Sequence, residues 1–412
     1  MLRLPIENTL DREEKIMAEW VERKISDIGT VVGGATPSTK KPENYEDGEI
    51  AWITPKDLST FSGRYIERGE RNITEIGLKS CSTQLLPPNT VLFSSRAPIG
   101  YVAIAANEVC TNQGFKSVIP NENTDPLFLF YLLKYNRDKI EGMGSGTTFK
   151  EVSGNTMKNI VVNVPTDKKV QEKIAAILGS IDDKIEENEQ INNNLEQQAE
   201  ALFHSLFIEN ANPTWKDGVL SDLGTVVAGG TPSKTKPEYY SEQGIAWITP
   251  KDLSLNKSKF ISRGEINISE LGFSKSSATK MPTGTVLFSS RAPIGYIAIA
   301  ANEVTTNQGF KSVVPNENVG TAFIYYLLKF LLPTIEGMAS GSTFKEISGT
   351  GMKSVPVVIP DNEAIEKFNA FCTPIFQQQE VLEAENSRLA DIRDALLPKL
   401  MSGELDVSDI DL

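Results

Sequence analysis

The chain is an internal duplication, and no other feature of the sequence constrains its fold as strongly. Residues 86–120 and 281–315 are identical at 29 of 35 positions, with a constant offset of 195 residues. The same offset relates SGTTFKE at 145–151 to SGSTFKE at 340–346. This period is far longer than the roughly 20–50 residues of a solenoid repeat. We therefore expect two copies of one domain, each large enough to have its own core.

Most of each copy consists of β-branched runs broken by Gly, Pro and Asn, which predicts strands and turns. One apolar run in each copy, at 126–140 and 321–335, predicts a helix. Together these patterns predict an α+β fold. The predicted order is an N-terminal segment (1–19), a first globular domain (20–165), a first helical segment (166–214), a second globular domain (215–360) and a second helical segment (361–412).

Both helical segments carry apolar residues at alternating spacings of three and four, which is typical of a coiled coil. Forty helical residues are ~60 Å long, too long to bury an apolar stripe on a small domain, so we expect the two segments to pair. Asn188, Asn192 and Asn386 interrupt the stripe and either fix the register or lie on the helix surface. The predicted coiled-coil interface is Ile174, Leu178, Ile181, Ile185, Asn188, Leu195, Leu202, Phe368, Ile375, Leu382, Asn386, Leu389 and Leu396.

The net charge of −13 argues against a nucleic-acid partner until its distribution is considered. Residues 166–214 and 361–412 carry −6 and −8, whereas 20–165 has 16 Lys and Arg against 16 Asp and Glu, and 215–360 has 14 against 11. A neutral domain can still present a local basic cluster to phosphates. The acidic helices either face a basic partner or simply form a solvated surface.

The composition excludes several classes of enzyme. One histidine, His204, and three scattered cysteines leave little for a metal site, a serine or cysteine triad, or imidazole catalysis. We find no glycine-rich cofactor motif after a strand, so we predict no catalytic residue and no metal. Without a long apolar stretch or a signal sequence, we expect a cytoplasmic protein with no membrane contact.

Short motifs shared by both copies carry side chains suited to DNA. The arginine of SSRAPIG either grips a guanine or phosphate or holds its own turn through carboxylates or carbonyls. Asn and Gln of TNQGFK pair well with adenine but are also common in turns. The candidates for DNA contact are Lys56, Ser94, Ser95, Arg96, Asn112, Gln113, Lys116, Thr147, Thr148 and Lys150, with Lys251, Ser289, Ser290, Arg291, Asn307, Gln308, Lys311, Ser342, Thr343 and Lys345 in the second copy.

The order domain–helix–domain–helix, with Thr-Pro-Ser, Trp-Ile and SSRAPIG in each domain, resembles the specificity subunit of type I restriction–modification enzymes across essentially the whole chain. The resemblance implies two target recognition domains, each reading half of a split site in double-stranded DNA. It also implies that the two helices form an antiparallel coiled coil that separates the domains and docks methyltransferase (modification) subunits. S-adenosylmethionine, ATP and Mg are then expected on those subunits and on restriction/translocase subunits, with no cofactor on this chain.

One departure from the family is informative, because its members usually carry two dissimilar recognition domains. If an antiparallel coiled coil relates two like domains by a pseudo-two-fold axis, they should read an inverted repeat. We therefore expect a gapped, near-palindromic site, and a half-length chain (1–214) that forms dimers. Two other functions stay open: a DNA-modifying enzyme in its own right, and a duplicated protein-binding scaffold without sequence-dependent DNA affinity.

Overall fold

The computed structural model describes residues 18–96, 98–146, 150–291, 293–341, 345–408 and 410. The chain divides into two compact units. Unit 1 comprises the described residues of Met1–Glu186 and Arg388–Leu412, and unit 2 is Glu187–Ser387. Each unit therefore combines one globular domain with stretches of both helical segments. The domain boundaries given above follow the sequence repeat rather than compactness, and they stay predictions.

The domain of unit 1 is built around a five-stranded sheet of order β2-β9-β6-β7-β4, in which only β4 pairs in parallel. A three-stranded sheet, β5-β3-β8, and a two-stranded sheet, β1-β10, complete it. The strands are β1 (Trp20–Lys24), β2 (Gly29–Gly33), β3 (Ile50–Ile53), β4 (Tyr65–Ile66), β5 (Arg71–Ile73), β6 (Val91–Ser95), β7 (Ile99–Ala105), β8 (Cys110–Thr111), β9 (Lys116–Pro120) and β10 (Val161–Pro165). Every residue of β6 is buried, as expected for a central strand with both faces covered.

Short helices connect these strands, and their first residues explain where they begin. Asp125 precedes α4 and its Oδ1 accepts a hydrogen bond from the Phe128 amide at 2.7 Å, with Pro126 in the first turn. The helices of this domain are α1 (Ile25–Ile28), α2 (Pro55–Ser59), α3 (Glu75–Lys79), α4 (Pro126–Tyr135), α5 (Arg137–Gly142) and α6 (Gly154–Asn159). Six consecutive residues of α4 are buried, which makes it the central helix of the domain.

Unit 2 repeats this architecture, with a five-stranded sheet of order β12-β20-β17-β18-β15 and the pairs β11-β21, β13-β16 and β14-β19. Its strands are β11 (Lys216–Val219), β12 (Gly224–Ala228), β13 (Tyr240–Ser241), β14 (Trp247–Ile248), β15 (Phe260–Ile261), β16 (Asn267–Ile268), β17 (Val286–Ser290), β18 (Ile294–Ala300), β19 (Thr305–Thr306), β20 (Lys311–Pro315) and β21 (Pro356–Ile359). In chain order, the helices after α6 are α7 (Lys168–His204), α8 (Leu220–Leu223), α9 (Pro250–Leu255), α10 (Glu270–Ser274), α11 (Thr321–Phe330), α12 (Leu332–Met338), α13 (Gly349–Lys353) and α14 (Asn362–Ser402).

The helix expected at 126–140 is interrupted, and so is its copy. In unit 1 it breaks at Asn136, whose side-chain amide donates to the Leu132 carbonyl at 2.8 Å and so competes with the backbone hydrogen bonds of the helix. In unit 2 the break falls at Leu331, just before Pro333, which has no amide hydrogen to continue the helix. Different residues therefore produce the same break in the two copies.

Within each unit, the stretches of α7 and α14 run antiparallel. In unit 1, Arg393 lies 2.8 Å from Asp182 and the amine of Lys173 donates to the Ser408 carbonyl at 2.5 Å. In unit 2, Asn188 pairs with Asn386 at 2.8 Å, whereas Phe203, fifteen residues later, contacts Phe368. Partner positions thus rise along one helix as they fall along the other.

The apolar stripe of each helix is shared between the other helix and the adjoining domain. In unit 1, Ile174 and Leu178 belong to one core that includes Leu400 of α14 and Leu129 of α4. Among the predicted interface residues, Ile174, Leu178, Asn188, Phe368, Ile375 and Leu382 are buried, and Ile181, Ile185, Leu195, Leu202, Asn386, Leu389 and Leu396 are half-buried. The expectation that the stripe cannot be buried on a domain was therefore too strict, because a stretch of each helix lies directly on α4 or α11.

A buried cation fixes the domain of unit 1 to α7. The Arg64 side chain is only 7% exposed and binds Glu186 at 3.1 Å, the neighbouring Asp183, and the Gly179 carbonyl at 3.3 Å. We call Arg64 with Asp183 and Glu186 the unit 1 anchor. Since a buried guanidinium is stable only when its donors are satisfied, the anchor allows one placement of the domain on the helix.

The corresponding position in unit 2 is Lys259, and its partners are different. Its amine is buried, pairs with Glu196 of α7, and donates to Gln379 of α14 at 2.7 Å. Glu196 also pairs with Lys329 of α11 at 2.7 Å. We call Lys259 with Glu196 and Gln379 the unit 2 anchor, which joins the domain to both helices.

Candidate nucleic-acid interface

The turn that carries Arg96 is held from inside by the two serines before it. Strand β6 changes register between Phe93 and Ser95, which bends the strand just before the turn. The Ser94 hydroxyl donates to the Pro98 carbonyl at 2.9 Å and accepts from the Tyr101 amide at 2.8 Å. Both serines are fully buried, as are Ser289 and Ser290 in the second copy. A DNA contact by these hydroxyls would require the turn to open, so in this structure they support the turn rather than face outward.

A glycine completes this turn. Gly100 has a φ of +98°, and a Cβ at this position would lie 2.6 Å from the Arg137 side chain. Gly295 has the same φ in the second copy. Only glycine fits such a conformation without strain. The Pro and Gly of SSRAPIG therefore serve to present the arginine.

The TNQGFK turn divides its two amide side chains between structure and surface. Oδ1 of Asn112 accepts the Gly114 amide at 2.8 Å, which closes the turn, and Asn307 does the same for Gly309. Gln113 is exposed and accepts a hydrogen bond from the Thr36 hydroxyl. Gln308 has the equivalent bond from Thr231. Asn112 thus fits the turn-forming alternative, while Gln113 links this turn to the Thr-Pro-Ser motif at the surface.

Three of the sequence motifs meet at one carboxylate. Arg96 pairs with Glu151 through an isolated β-bridge, and its guanidinium lies 4.0 Å from the carboxylate. The Lys116 amine lies 3.5 Å from the same carboxylate. Glu151 also forms a two-way backbone pair with Ser145. We call Arg96, Glu151 and Lys116 the unit 1 triad.

Unit 2 contains the same triad with closer contacts. Arg291 lies 3.3 Å and Lys311 3.4 Å from Glu346, and the Lys311 amine also donates to Ser290 at 3.4 Å. Each triad holds two cations and one carboxylate, so it carries a net positive charge at a partly exposed surface. Side-chain exposure is 37% for Arg96 but only 14% for Lys116. The arginine is therefore the member best placed to meet a ligand.

The remaining candidates lie outside the triads. Lys56 and Lys251 are exposed and pair with Glu70 and Glu265 at 2.6 Å, and these hydrogen bonds raise the pKa of both amines. Lys150 and Lys345 are exposed beside Glu151 and Glu346. Thr147, Thr148, Ser342 and Thr343 lie outside the described residues, as does most of the predicted N-terminal segment.

The sequence-based candidates do not include Glu151 or Glu346. Both lie in the SGTTFKE and SGSTFKE repeats, so the duplication itself carried a signal for them. A carboxylate is not a group that binds phosphate, although it can accept a hydrogen bond from a base.

Among the described residues, no group of three or more His, Cys, Asp or Glu side chains is arranged to hold a metal ion. No helix in the described part of the chain has the length and apolar character to cross a membrane.

Comparison with known proteins identifies both copies. The family model for the type I restriction modification DNA specificity domain matches residues 17–197 and again residues 212–387. The chain is 34% identical to the type I restriction enzyme MjaIX specificity subunit of Methanocaldococcus jannaschii, over 96% of each chain. It is 27% identical to the type I restriction enzyme HindI specificity subunit of Haemophilus influenzae, over 94% of this chain and all of the relative.

A solved structure has the same fold. The S subunit of a type I restriction–modification system from M. genitalium superposes with a TM-score of 0.60, at 19% identity, over 96% of this chain and 98% of the other. This likeness confirms the predicted fold class, and the two relatives confirm the resemblance drawn from the sequence. The chain therefore belongs to the family of type I restriction–modification specificity subunits, with two DNA specificity domains in tandem.

Proposed function

We propose that each domain binds one half of a bipartite DNA site and that its triad lies against the DNA. The observation that carries this proposal is the convergence of three motifs on one partly exposed cluster, which occurs in the same form in both units. An arginine next to a turn that buried serines support can bind guanine O6 and N7 with two hydrogen bonds. The neighbouring lysines and Gln113 supply further contacts to the phosphates or bases.

The proposed target is a gapped inverted repeat. The two triads consist of the same residues at the same register, which supports two half-sites of similar sequence. The helical stretches within each unit run antiparallel, which supports half-sites of opposite orientation.

The helices are proposed to dock methyltransferase (modification) subunits and, through the assembled enzyme, restriction/translocase subunits. Their acidity supports a partner with basic surfaces and an absence of direct DNA contact by the helices. S-adenosylmethionine, ATP and Mg then belong to those subunits. All three cysteines are free thiols, which supports a reducing, cytoplasmic environment.

The test is a selection from random duplexes with the full-length chain, alone and with its modification subunit. Replacing Arg96 with Ala should weaken binding to the selected site by ~1–3 kcal/mol and relax one base position, because a two-pronged contact is lost. Arg23→Ala, an exposed arginine of the same domain, is the matched control and should leave the selected sequence unchanged. If the parent protein instead bound all duplexes equally, with an affinity that did not change between low and high salt, the result would favour the alternative function, a scaffold that binds proteins.

A further inference from the structure

We propose that Glu151 and Glu346 are specificity residues. Each glutamate weakens the binding of its triad to random DNA and accepts a hydrogen bond from a base in the correct site. The proposal rests on the DNA-binding function proposed above. The base group that donates to the glutamate is an exocyclic amino group, such as N4 of cytosine. The proposal concerns a carboxylate in the middle of a surface that otherwise suits phosphates.

The geometry of the carboxylate supports a role beyond structure. Glu151 contacts two cations that come from separate motifs, and yet its side chain remains 42% exposed. Glu346 is 35% exposed between Arg291 and Lys311. A glutamate that served only to neutralise its neighbours would not need an open side. Each side chain is therefore open enough to solvent for a further donor to approach its carboxylate.

The charge of the glutamate affects the two kinds of DNA complex differently. On random DNA, contacts are made mainly to phosphates, and a carboxylate within ~8 Å of a phosphate is repelled by it. On the correct site, the carboxylate meets an amino group and the repulsion is offset by a hydrogen bond. The same residue thus weakens the wrong complex and stabilises the right one, which widens the difference between them.

The experiment compares Glu151→Gln with Glu75→Gln in the full-length chain. Glu75 is an exposed residue of α3 that pairs with Lys79 at 3.5 Å, so its replacement removes the same charge from the same domain outside the triad. Dissociation constants are measured for a random duplex pool and for the selected duplex, at several salt concentrations. Glu346→Gln and Glu270→Gln form the equivalent comparison in the second domain.

For Glu151→Gln we expect binding to the random pool to tighten by about threefold to tenfold at low salt, with a steeper salt dependence. The preference for the selected duplex over the pool should fall, and selection with the variant should relax one position of one half-site. Glu75→Gln should change binding to the pool and to the selected duplex by the same factor.

Three results would overturn the proposal. The first is random-pool binding by Glu151→Gln that equals that of Glu75→Gln, and the second is an unchanged preference for the selected duplex. The third is loss of folding in both triad variants, measured by thermal unfolding, which would make the carboxylate a structural support. A parent protein that selects no sequence would instead refute the proposed function itself, so the two failures are distinguishable.

Discussion

At the scale of single residues, the unit 2 anchor contains two ionisable groups with shifted pKa values, Glu196 and Lys259. Burial opposes ionisation of Glu196, but the neighbouring amines of Lys259 and Lys329 outweigh it and lower the pKa of Glu196 to about 2. Burial also lowers the pKa of Lys259. Because the pKa of Glu196 in the folded state lies below its ordinary value of 4.5, ionised Glu196 stabilises unit 2 above about pH 4.5. This stabilisation is lost as the pH falls toward 2.

Glu196→Gln should therefore destabilise unit 2 by about 3 kcal/mol at neutral pH, because it leaves two cations beside a neutral amide. The difference from the parent protein should shrink as the pH is lowered from 4.5 toward 2. Hydrogen exchange of the α11 amides measures the opening of unit 2 separately from the rest of the chain.

Glu303→Gln is the control for this variant, because Glu303 pairs with Lys280 at 3.1 Å on the surface of the same unit. Its replacement should change the stability by less than about 1 kcal/mol. A Glu196→Gln variant with an equally small effect at every pH would show that the anchor does not hold the domain.

The sequence gives little sign of these anchors. Arg64 lies 119 residues from Asp183 in the chain, and no periodic pattern connects them. The motifs of the triads were predictable because the duplication marked them twice. Arg64 and Lys259 occupy the same position of the two copies but are different residues, so the duplication does not mark this position as shared.

At the scale of elements, the helix pair contains a buried polar contact. Asn188 is fully buried, and its side-chain amide donates to Asn386 at 2.8 Å and to Glu385 at 2.9 Å. This burial excludes a helix-surface position for Asn188 and agrees with the register-fixing alternative. The heptad pattern predicted the helices and their pairing but not this bond, since spacing alone does not show which residues meet.

Asn188→Leu should lower the stability of the helix pair by ~1–3 kcal/mol, because it removes the hydrogen-bond donor of two half-buried polar groups, Glu385 and Asn386. Adding Asn386→Leu should restore most of that loss, since apolar residues then meet across the seam. Hydrogen exchange in α7 and α14 measures both variants. Additive losses in the double variant would show that the two asparagines do not act together.

The helix-breaking positions show why element boundaries were harder to predict than element types. The apolar run of α4 identified a buried helix in both copies. Its end depends on a side-chain hydrogen bond at Asn136 in one copy and on Pro333 in the other. The proline is visible in the sequence, but the residue type alone does not show that the Asn136 side chain bonds to the carbonyl four residues earlier.

At the scale of the whole molecule, the two specificity domains are nearly the same, and this similarity predicts a symmetric target. Selection should return two half-sites of the same sequence in opposite orientation, separated by a spacer. Arg96→Ala and Arg291→Ala should relax the equivalent base position, each in a different half-site. Mapping of methylated adenines after assembly with the modification subunit gives an independent readout. Two unrelated half-sequences would contradict the prediction.

The duplication revealed the number of domains, their shared motifs and the family, because these depend on local residues that occur twice. The contacts between a domain and its helices were not visible, because they join residues far apart that differ between the copies. The triads were predictable in part. The sequence indicated their arginines and lysines, whereas Glu151 and Glu346 join them through contacts between residues far apart in the chain.

The two anchors limit how freely specificity domains can be transplanted. A domain carrying Arg64, if grafted in place of the unit 2 domain, would bring its guanidinium to the position of Lys259, where the partners are Glu196 and Gln379 instead of Asp183 and Glu186. The graft would then bury a planar guanidinium in a site whose carboxylate and amide are arranged around an amine. Engineers who exchange domains to obtain new targets should therefore transfer the docking cation together with its helix partners, or redesign both, even when the DNA-facing loops are interchangeable.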